Sequence, residues 1–358
     1  MKIGIVTYHR TLNYGACLQA IATRVVLEQL GHEAYYVDYW PKYHEQMYKC
    51  FNSDIFKEAG CLTKVEYIAK ILRFGWQRMQ KRKIWLDYID RYIVPYCKPQ
   101  DFQFDIIIYG SDQIWRKQKY LNDYNPIYFG DNSFQTKKHI AFSASMGELP
   151  QNENDKKRVI ELVSHLNHIS VRENNLQQFL INSGVKNVVV TLDPTFILSK
   201  ETWDKMIPTV PCEGSKYVLF FPLRGGFKEQ AIIEFAKNKG LMFRKILPYS
   251  PGTNIGGENY VATPSEFINL VKYAEYVFTS SFHGLAFSLI YKRQVFASFK
   301  NNSGRARSLM EDLGILDHYI EPGHEIPAQV DKIEYLVINK ILSKKKSLTL
   351  QYLEESLS

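Results

Sequence analysis

The sequence predicts an α/β fold made of two domains, each built on a parallel β-sheet. Short apolar and β-branched runs, such as residues 2–8 and 105–109, are typical of strands buried in parallel sheets. Helical periodicity follows several of these runs, and the alternation recurs in both halves of the chain. The length of 358 residues also fits two domains.

The first half opens with a β-loop-α-β unit, the building block of doubly wound sheets. A strand is predicted over residues 2–8, a helix over 16–30 that ends at Gly31, and a strand over 33–39. Further strands are predicted at residues 105–109, 139–144, 169–172 and 187–192. The segment 64–92 has apolar residues at helical spacing, which predicts one long amphipathic helix or two.

The second half repeats the pattern. Strands are predicted at residues 217–221, 242–247, 276–279 and 295–298, and helices at 228–239, 264–273 and 283–291. Thr263 and Glu266 have the spacing of a capping box at the start of one helix. We therefore expect a first domain at 1–190, with a basic helical insertion at about 64–92, and a second domain at 191–330. Residues 331–358 are expected to form a helix that packs back on the first domain.

Composition excludes several classes of protein. Hydrophobic residues make up 45% of the chain, which is too apolar for a disordered protein. Because the sequence has neither a membrane-length apolar run nor a signal-peptide pattern at its start, we expect a cytoplasmic protein. The five cysteines are widely spaced without a CxxC pair, so we predict neither a disulfide framework nor a metal site.

The charge distribution indicates an anionic partner. The net charge is +8, and residues 64–92 alone carry eight basic and three acidic side chains. Ile68, Leu72, Trp76 and Trp85 lie in this segment, which suits a helix in peripheral contact with the cytoplasmic face of a membrane. The alternative is a core-packed helix with a solvated basic face. The sequence has no recognised nucleic-acid-binding module, so nucleic acid is not an expected partner.

Ligands of open α/β sheets bind beyond the carboxyl ends of the strands, and two polar clusters follow strands in the first half. Asn13, Tyr14 and Gly15 open a helix whose backbone N–H groups can approach a ligand, although a simple capped turn has the same pattern. The second cluster is GSDQIW. Its Asp112 suits proton acceptance from a sugar hydroxyl and its Trp115 suits stacking on a sugar face, whereas the alternative is a capping Asp with a core Trp.

Three further clusters suit an anion. Arg172 follows a strand beside Glu173, a pattern that by itself also fits a surface ion pair. Arg224 precedes two glycines, which suits either a bound anion or a flexible turn. In TSSFHG, a strand meets a helix N-terminus, where the dipole and free N–H groups attract anions. An N-capped helix with a satisfied His283 is the alternative there. Walker A, HExxH, DxD and GxSxG motifs are all absent.

Five segments in order resemble the polysaccharide pyruvyl transferase family over roughly residues 1–315. They are NYGACLQA, GSDQIW, SVRE, DPTFIL and TSSFHGLAFSLIY. The chain departs from related members at Phe282, where they often carry a basic residue. The resemblance implies a glycosyltransferase-B-like fold, with two Rossmann-like domains facing across a cleft. It also implies phosphoenolpyruvate as donor, a saccharide as acceptor and a pyruvate ketal as product, without a cofactor or a metal.

A donor with nearly three negative charges needs several guanidiniums and a helix N-terminus. The expected donor-binding residues are Arg172, Arg224, Ser281, His283, Gly284, Arg305 and Arg307. The expected acceptor-binding residues are Asn13, Tyr14, Gly15, Gln113 and Trp115. We expect His283 to contact phosphate or act as an acid, and Asp112 to act as the acceptor-side base. The alternatives are a nucleotide-sugar glycosyltransferase of the same fold and a catalytically silent scaffold in polysaccharide assembly. In the main hypothesis, a lipid-linked acceptor fits the membrane contact.

Overall fold

The computed structural model contains two parallel β-sheets. It describes residues 1–47, 56, 61–118, 121–207, 216–223, 225–247, 259–260, 262–300, 304–327 and 331–358. The first sheet consists of β1 Lys2–Val6, β2 Glu33–Val37, β3 Cys97–Lys98, β4 Ile106–Tyr109, β5 Lys138–Ala144, β6 His168–Val171 and β7 Val188–Val190. Its strand order is β3-β2-β1-β4-β5-β6-β7. The second sheet consists of β8 Tyr217–Phe221, β9 Met242–Ile246, β10 Asn259–Tyr260, β11 Tyr276–Thr279 and β12 Gln294–Ala297, in the order β10-β9-β8-β11-β12.

Helices connect the strands of both sheets. They are α1 Tyr14–Gln29, α2 Lys42–Met47, α3 Cys61–Tyr92, α4 Glu153–Val163, α5 Asn174–Asn182, α6 Lys200–Met206, α7 Glu229–Asn238, α8 Pro264–Tyr273, α9 Phe282–Ile290, α10 Gly304–Asp312 and α11 Tyr335–Leu357. The sequence patterns above do not predict α4, α5, α6 and α10. The capping box at Thr263 and Glu266 is present at the start of α8. The basic segment forms one helix, α3, rather than two.

The predicted fold class is confirmed. Each sheet is wholly parallel in its described pairings, and crossovers reverse direction beside β1 in the first sheet and beside β8 in the second. This is the doubly wound, Rossmann-like arrangement, in which ligands bind where the strand order reverses. The two sheets face one another as in the glycosyltransferase-B-like fold, with side chains from both lining the space between them.

The last helix returns to the first sheet. The backbone N–H of Leu192 donates to Thr349 Oγ1 over 3.0 Å, and the Tyr352 hydroxyl donates to the Ala141 carbonyl over 2.7 Å. Both bonds are buried, so α11 is held both to β5 and to Leu192 in the connection between the two halves. Among the described residues, no helix combines the length and the apolar character that crossing a bilayer requires.

Candidate active site

A buried ion cluster lies where the two halves meet. Asp112 follows β4, Arg172 follows β6 and Asp193 follows β7, so the carboxyl ends of three strands of the first sheet supply it. His283 in the first turn of α9 and Arg305 in the first turn of α10 reach it from the second half. The topology thus gathers groups that are up to 193 residues apart in sequence, from Asp112 to Arg305, at one edge.

Asp193 is the centre of this cluster. Its side chain is fully buried, and its Oδ2 atom pairs with Arg172 Nη1 and lies 3.4 Å from His283 Nε2. Its Oδ1 atom accepts hydrogen bonds from the Thr195 backbone (2.9 Å) and hydroxyl (2.7 Å). Burial opposes ionisation, but Arg172 and His283 outweigh it and hold the pKa of Asp193 well below its usual range. Asp193 therefore orients both an arginine and the histidine.

Arg305 brings a second guanidinium to the same place. Its Nη1 atom lies 3.6 Å from Asp112 Oδ1, which is also 3.4 Å from Arg172 Nη2. Its Nε atom lies 4.0 Å from Glu173, a buried carboxylate that accepts a bond from the Ser145 hydroxyl. Burial, reinforced by the like charge of Arg172, lowers the pKa of Arg305 to about 10. Burial likewise raises the pKa of Glu173 against the attraction of Arg305. The site is thus a mixed-charge cluster, in which Glu173 and Asp193 join the predicted Asp112.

The Phe282 ring packs against both guanidiniums. The Arg172 and Arg305 guanidinium carbons lie 5.1 Å and 5.2 Å from the centre of its ring. At such distances the ring attracts each guanidinium by a cation–π interaction, which offsets part of the repulsion between the two like charges. The aromatic residue at the position where related proteins often carry a base therefore organises the cationic part of the site.

Several buried donors of the cluster have no hydrogen-bond partner within the described part of the protein. They are Arg172 Nε, Arg305 Nε and Nη1, and His283 Nε2. Unpaired buried donors are costly, so native proteins usually pair them with protein, water or ligand. Arg172, Asp193, Phe282 and Arg305 also line a small pocket of about 80 Å³ between the halves. The arrangement therefore suits a small anion that accepts these N–H groups.

Gly15 supports His283 from the first half. A β-carbon at position 15 would overlap the His283 ring, with Nδ1 as the nearest atom. Ser281 caps α9 by accepting the Gly284 N–H over 3.4 Å. A β-carbon at position 284 would likewise overlap the Thr279 side chain. Gly15 thus lets the start of α1 approach the histidine, and Gly284 lets the start of α9 pack against Thr279.

We expect Gly15→Ala to displace His283. The added methyl group cannot fit without moving the ring or the start of α1, and overpacking of this kind costs about 1–3 kcal/mol. Chemical denaturation of the variant measures that loss, and ligand binding at the cluster is expected to weaken with it. Gly75→Ala serves as the control, because Gly75 lies within helix α3 and a β-carbon there meets only Ile71, at an ordinary contact distance of 3.6 Å. Unchanged ligand binding in Gly15→Ala would contradict the placement of His283.

A family model described as polysaccharide pyruvyl transferase matches residues 13–302. This chain belongs to that family. The match covers Asp112, Arg172, Asp193 and His283 and ends shortly before Arg305, so the pyruvyl transferase resemblance of the sequence is confirmed. No curated protein matches the sequence.

Solved structures similar to this family member share only its fold. A putative UDP-N-acetylglucosamine 2-epimerase from Listeria monocytogenes is 11% identical, with a TM-score of 0.46 over 98% of this chain and 97% of that one. A UDP-GlcNAc 2-epimerase from Neisseria meningitidis bound to UDP-GlcNAc is 12% identical, with a TM-score of 0.42 over 99% and 94%. The E. coli heptosyltransferase with ADP is 9% identical, with a TM-score of 0.40 over 96% and 100%.

Two acceptor residues predicted for this pyruvyl transferase family member are wrong. Trp115 is fully buried, donates its indole N–H to the Tyr128 carbonyl and stacks on Phe129, so it cannot stack on a sugar. Tyr14 is also buried, and its hydroxyl donates to the Ala262 carbonyl over 2.9 Å. Both rings belong to the core. Burial of an aromatic ring is favourable when its O–H or N–H group also finds a hydrogen-bond acceptor there, as both of these do.

The remaining predicted residues have three different outcomes. Arg307 is not in the cluster: it pairs with Glu321 at a half-exposed position, so its prediction as a donor ligand is wrong. Arg224 lies outside the described residues. Asn13 caps α1 by accepting the Gly15 N–H over 2.9 Å, and Gln113 follows Asp112 with its side-chain amide buried and unpartnered. Asn13 and Gln113 remain candidate acceptor ligands.

Sequence reasoning missed Asp193 as a site residue. Asp193 lies in the segment DPTFIL, which carries part of the family resemblance, and in the structure its Oδ2 atom contacts both Arg172 and His283. Its position directly after an apolar strand is the signal that marked the other clusters, and applying that rule to β7 would have found it.

Proposed function

We propose that this family member transfers the pyruvyl group of phosphoenolpyruvate to two hydroxyls of one sugar, forming a cyclic ketal and releasing phosphate. One observation carries the proposal: two buried guanidiniums with unpartnered N–H groups, Arg172 and Arg305, lie together with His283 and Asp112 in a chain of the pyruvyl transferase family. Phosphoenolpyruvate is a small anion with both a phosphate and a carboxylate. Two guanidiniums suit the bidentate recognition of such oxygens.

The reaction needs one proton donor and one proton acceptor. The methylene carbon of the donor gains a proton, and the oxocarbenium centre that results is attacked by one sugar hydroxyl. The carbon–oxygen bond to phosphate then breaks, and a second hydroxyl attacks to close the ketal. One hydroxyl proton balances the proton gained by carbon, and the other leaves with phosphate. No atom is oxidised or reduced in these steps.

The residues suit these roles in different ways. His283 lies at the start of α9, where the helix dipole favours an anion, and its Nε2 atom lies 3.4 Å from Asp193 Oδ2. It is therefore our candidate for phosphate contact and proton delivery. Asp112 faces both guanidiniums, and Gln113 Nε2 beside it is unpartnered. Asp112 is our candidate base for the acceptor hydroxyl, with Gln113 as a sugar ligand.

The size of the pocket favours a small donor over a nucleotide sugar. About 80 Å³ is far below the roughly 300–1,000 Å³ of pockets that hold drug-sized ligands. A nucleotide-sugar glycosyltransferase would need a second cavity for the base and ribose. The buried, unpartnered donors also favour a ligand-binding protein over a silent scaffold, because a scaffold gains nothing from leaving them unpaired.

Arg305 and Arg307 provide a matched pair for the test. They lie two residues apart on α10, one buried against Asp112 and the other pairing with Glu321 near the surface. We expect Arg305→Gln to weaken phosphoenolpyruvate binding by about ten- to a hundredfold, because a charge-assisted hydrogen bond contributes about 1.5–3 kcal/mol. Arg307→Gln is expected to bind like the wild type. Calorimetric titration with phosphoenolpyruvate measures both.

Binding is compared with UDP-N-acetylglucosamine and with inorganic phosphate on the same variants. Tight binding of the nucleotide sugar without phosphoenolpyruvate binding would support glycosyl transfer instead. Equal losses in the two arginine variants would contradict the assignment of the cluster as the donor site. Binding of none of the three by the wild type, with or without a panel of saccharides, would favour the scaffold.

A further inference from the structure

Helix α3 presents an apolar stripe to solvent. The α3 stripe consists of Val65, Ile68, Leu72, Trp76 and Met79, at spacings of three and four residues. Their exposed fractions are 65%, 44%, 82%, 70% and 50% in that order. Single exposed apolar residues are ordinary, but a contiguous row of five large ones marks an interaction surface.

The opposite face of the same helix fastens it to the protein. Trp85, Tyr88 and Ile89 are all buried, and the Trp85 ring lies 4.9 Å from the Tyr14 ring at the start of α1. Trp76 and Trp85 are nine residues apart, which at about 100° per residue places them on opposite sides of the helix. The α3 stripe therefore faces away from the core. The last turns of α3 are core-packed as in the alternative hypothesis, and Trp85 belongs to them, so its prediction as a membrane-facing residue is wrong.

The charge of the helix selects the partner. Residues 64–92 carry a net charge of +5, and the described side chains of Lys64 and Lys83 belong to it. Contact between two copies through this face would bring two such charges together, which opposes self-association. An anionic lipid surface instead offers phosphates to the basic residues and an acyl boundary to the apolar ones.

We propose that α3 docks the protein on an anionic lipid bilayer. The α3 stripe lies in the boundary between headgroups and acyl chains, and the basic residues of the helix bind the anionic headgroups. The docking itself does not depend on the proposed function. One consequence does: α3 packs beside the start of α1, which adjoins His283, so docking holds the protein that carries the site at a membrane surface. A saccharide carried by a lipid is then the acceptor class that the site would meet.

Vesicle flotation of the full chain tests the proposal. The wild type is expected to float with mixed phosphatidylglycerol–phosphatidylcholine vesicles, more weakly at high salt, and not with phosphatidylcholine alone. Leu72→Gln/Trp76→Gln is expected to reduce partitioning by at least about tenfold, because two large side chains no longer enter the boundary. Lys83→Glu is expected to weaken it by a smaller factor.

A matched control comes from another exposed apolar pair. Leu336 and Val337 on α11 are 78% and 59% exposed, so Leu336→Gln/Val337→Gln removes similar surface away from α3. It is expected to float like the wild type. Light scattering after size-exclusion chromatography reports the oligomeric state of each variant. Failure of the wild type to float, equal losses in the two double variants, or a dimer that Leu72→Gln/Trp76→Gln dissociates would each overturn the proposal. Phosphoenolpyruvate binding by calorimetry is measured separately, so failure of docking is distinct from failure of the proposed function.

Discussion

Asp193→Ala is expected to lower the free energy of unfolding by about 3–5 kcal/mol, the cost of removing one partner of a buried ion pair. The side chains of Asp193 and Arg172 are 0% and 2% exposed, so water cannot replace the lost carboxylate. The substitution leaves the Arg172 guanidinium buried with only Asp112 at 3.4 Å. It also removes the acceptor of the two Thr195 bonds that start the turn after β7.

Urea denaturation of three variants separates these effects. Asp193→Asn keeps an acceptor for Thr195 and removes only the charge, so its loss is expected to be smaller than that of alanine. Arg172→Met/Asp193→Ala is expected to recover part of the stability, since no unpaired charge stays buried. Arg307→Ala removes the half-exposed pair with Glu321 and is expected to cost no more than about 1 kcal/mol. A loss for Asp193→Ala as small as that of Arg307→Ala would contradict the buried cluster.

His283→Gln is expected to reduce the rate of ketal formation by about 10²–10⁴-fold, the usual contribution of a positioned acid or base. Glutamine keeps a hydrogen-bond donor near Asp193 but cannot deliver a proton. Phosphoenolpyruvate binding is therefore expected to fall far less than the rate. Release of phosphate from phosphoenolpyruvate in the presence of acceptor saccharide measures turnover, and calorimetry measures binding.

Comparing the loss of rate with the loss of binding distinguishes proton transfer by His283 from simple phosphate contact. Gly15→Ala moves the same ring without removing it, so its rate is expected to lie between those of the wild type and His283→Gln. A His283→Gln enzyme with near-normal turnover would remove His283 from proton transfer. Weaker binding with an unchanged kcat would restrict His283 to phosphate contact, because losing an interaction made equally in the ground and transition states lowers kcat/KM but not kcat.

The tertiary contacts of Phe282 change the interpretation that its motif suggests. From sequence alone, an aromatic residue where relatives often have a base looks like a loss of donor binding. In the structure, its ring packs against the guanidiniums of both Arg172, which follows β6, and Arg305 on α10. The cationic character of the site is thus supplied by two distant arginines that one ring holds together.

Local sequence determined much of the fold. Apolar β-branched runs fixed most strands to within two residues, because a strand buried on both faces must be apolar throughout. The sequence patterns did not predict the helices α4, α5 and α10, because their exposed faces are polar and their apolar stripes are short. Packing on the sheets, rather than local helix propensity, stabilises them. The predicted carboxyl-end clusters located Asp112, Arg172 and His283 for the same topological reason.

The sequence by itself determined the α/β class, the family motifs and the chemical types of residue at the strand ends. Only the tertiary structure decided which of them meet. Trp115 and Arg305 both follow polar motifs, yet one is in the core and the other in the ion cluster, because burial depends on what the opposite element supplies. Asp193 acquired its role in the same way, when β7 placed it between an arginine from β6 and a histidine from the other half. Local patterns report how a residue suits its own element, whereas a site depends on contacts between elements far apart in the chain.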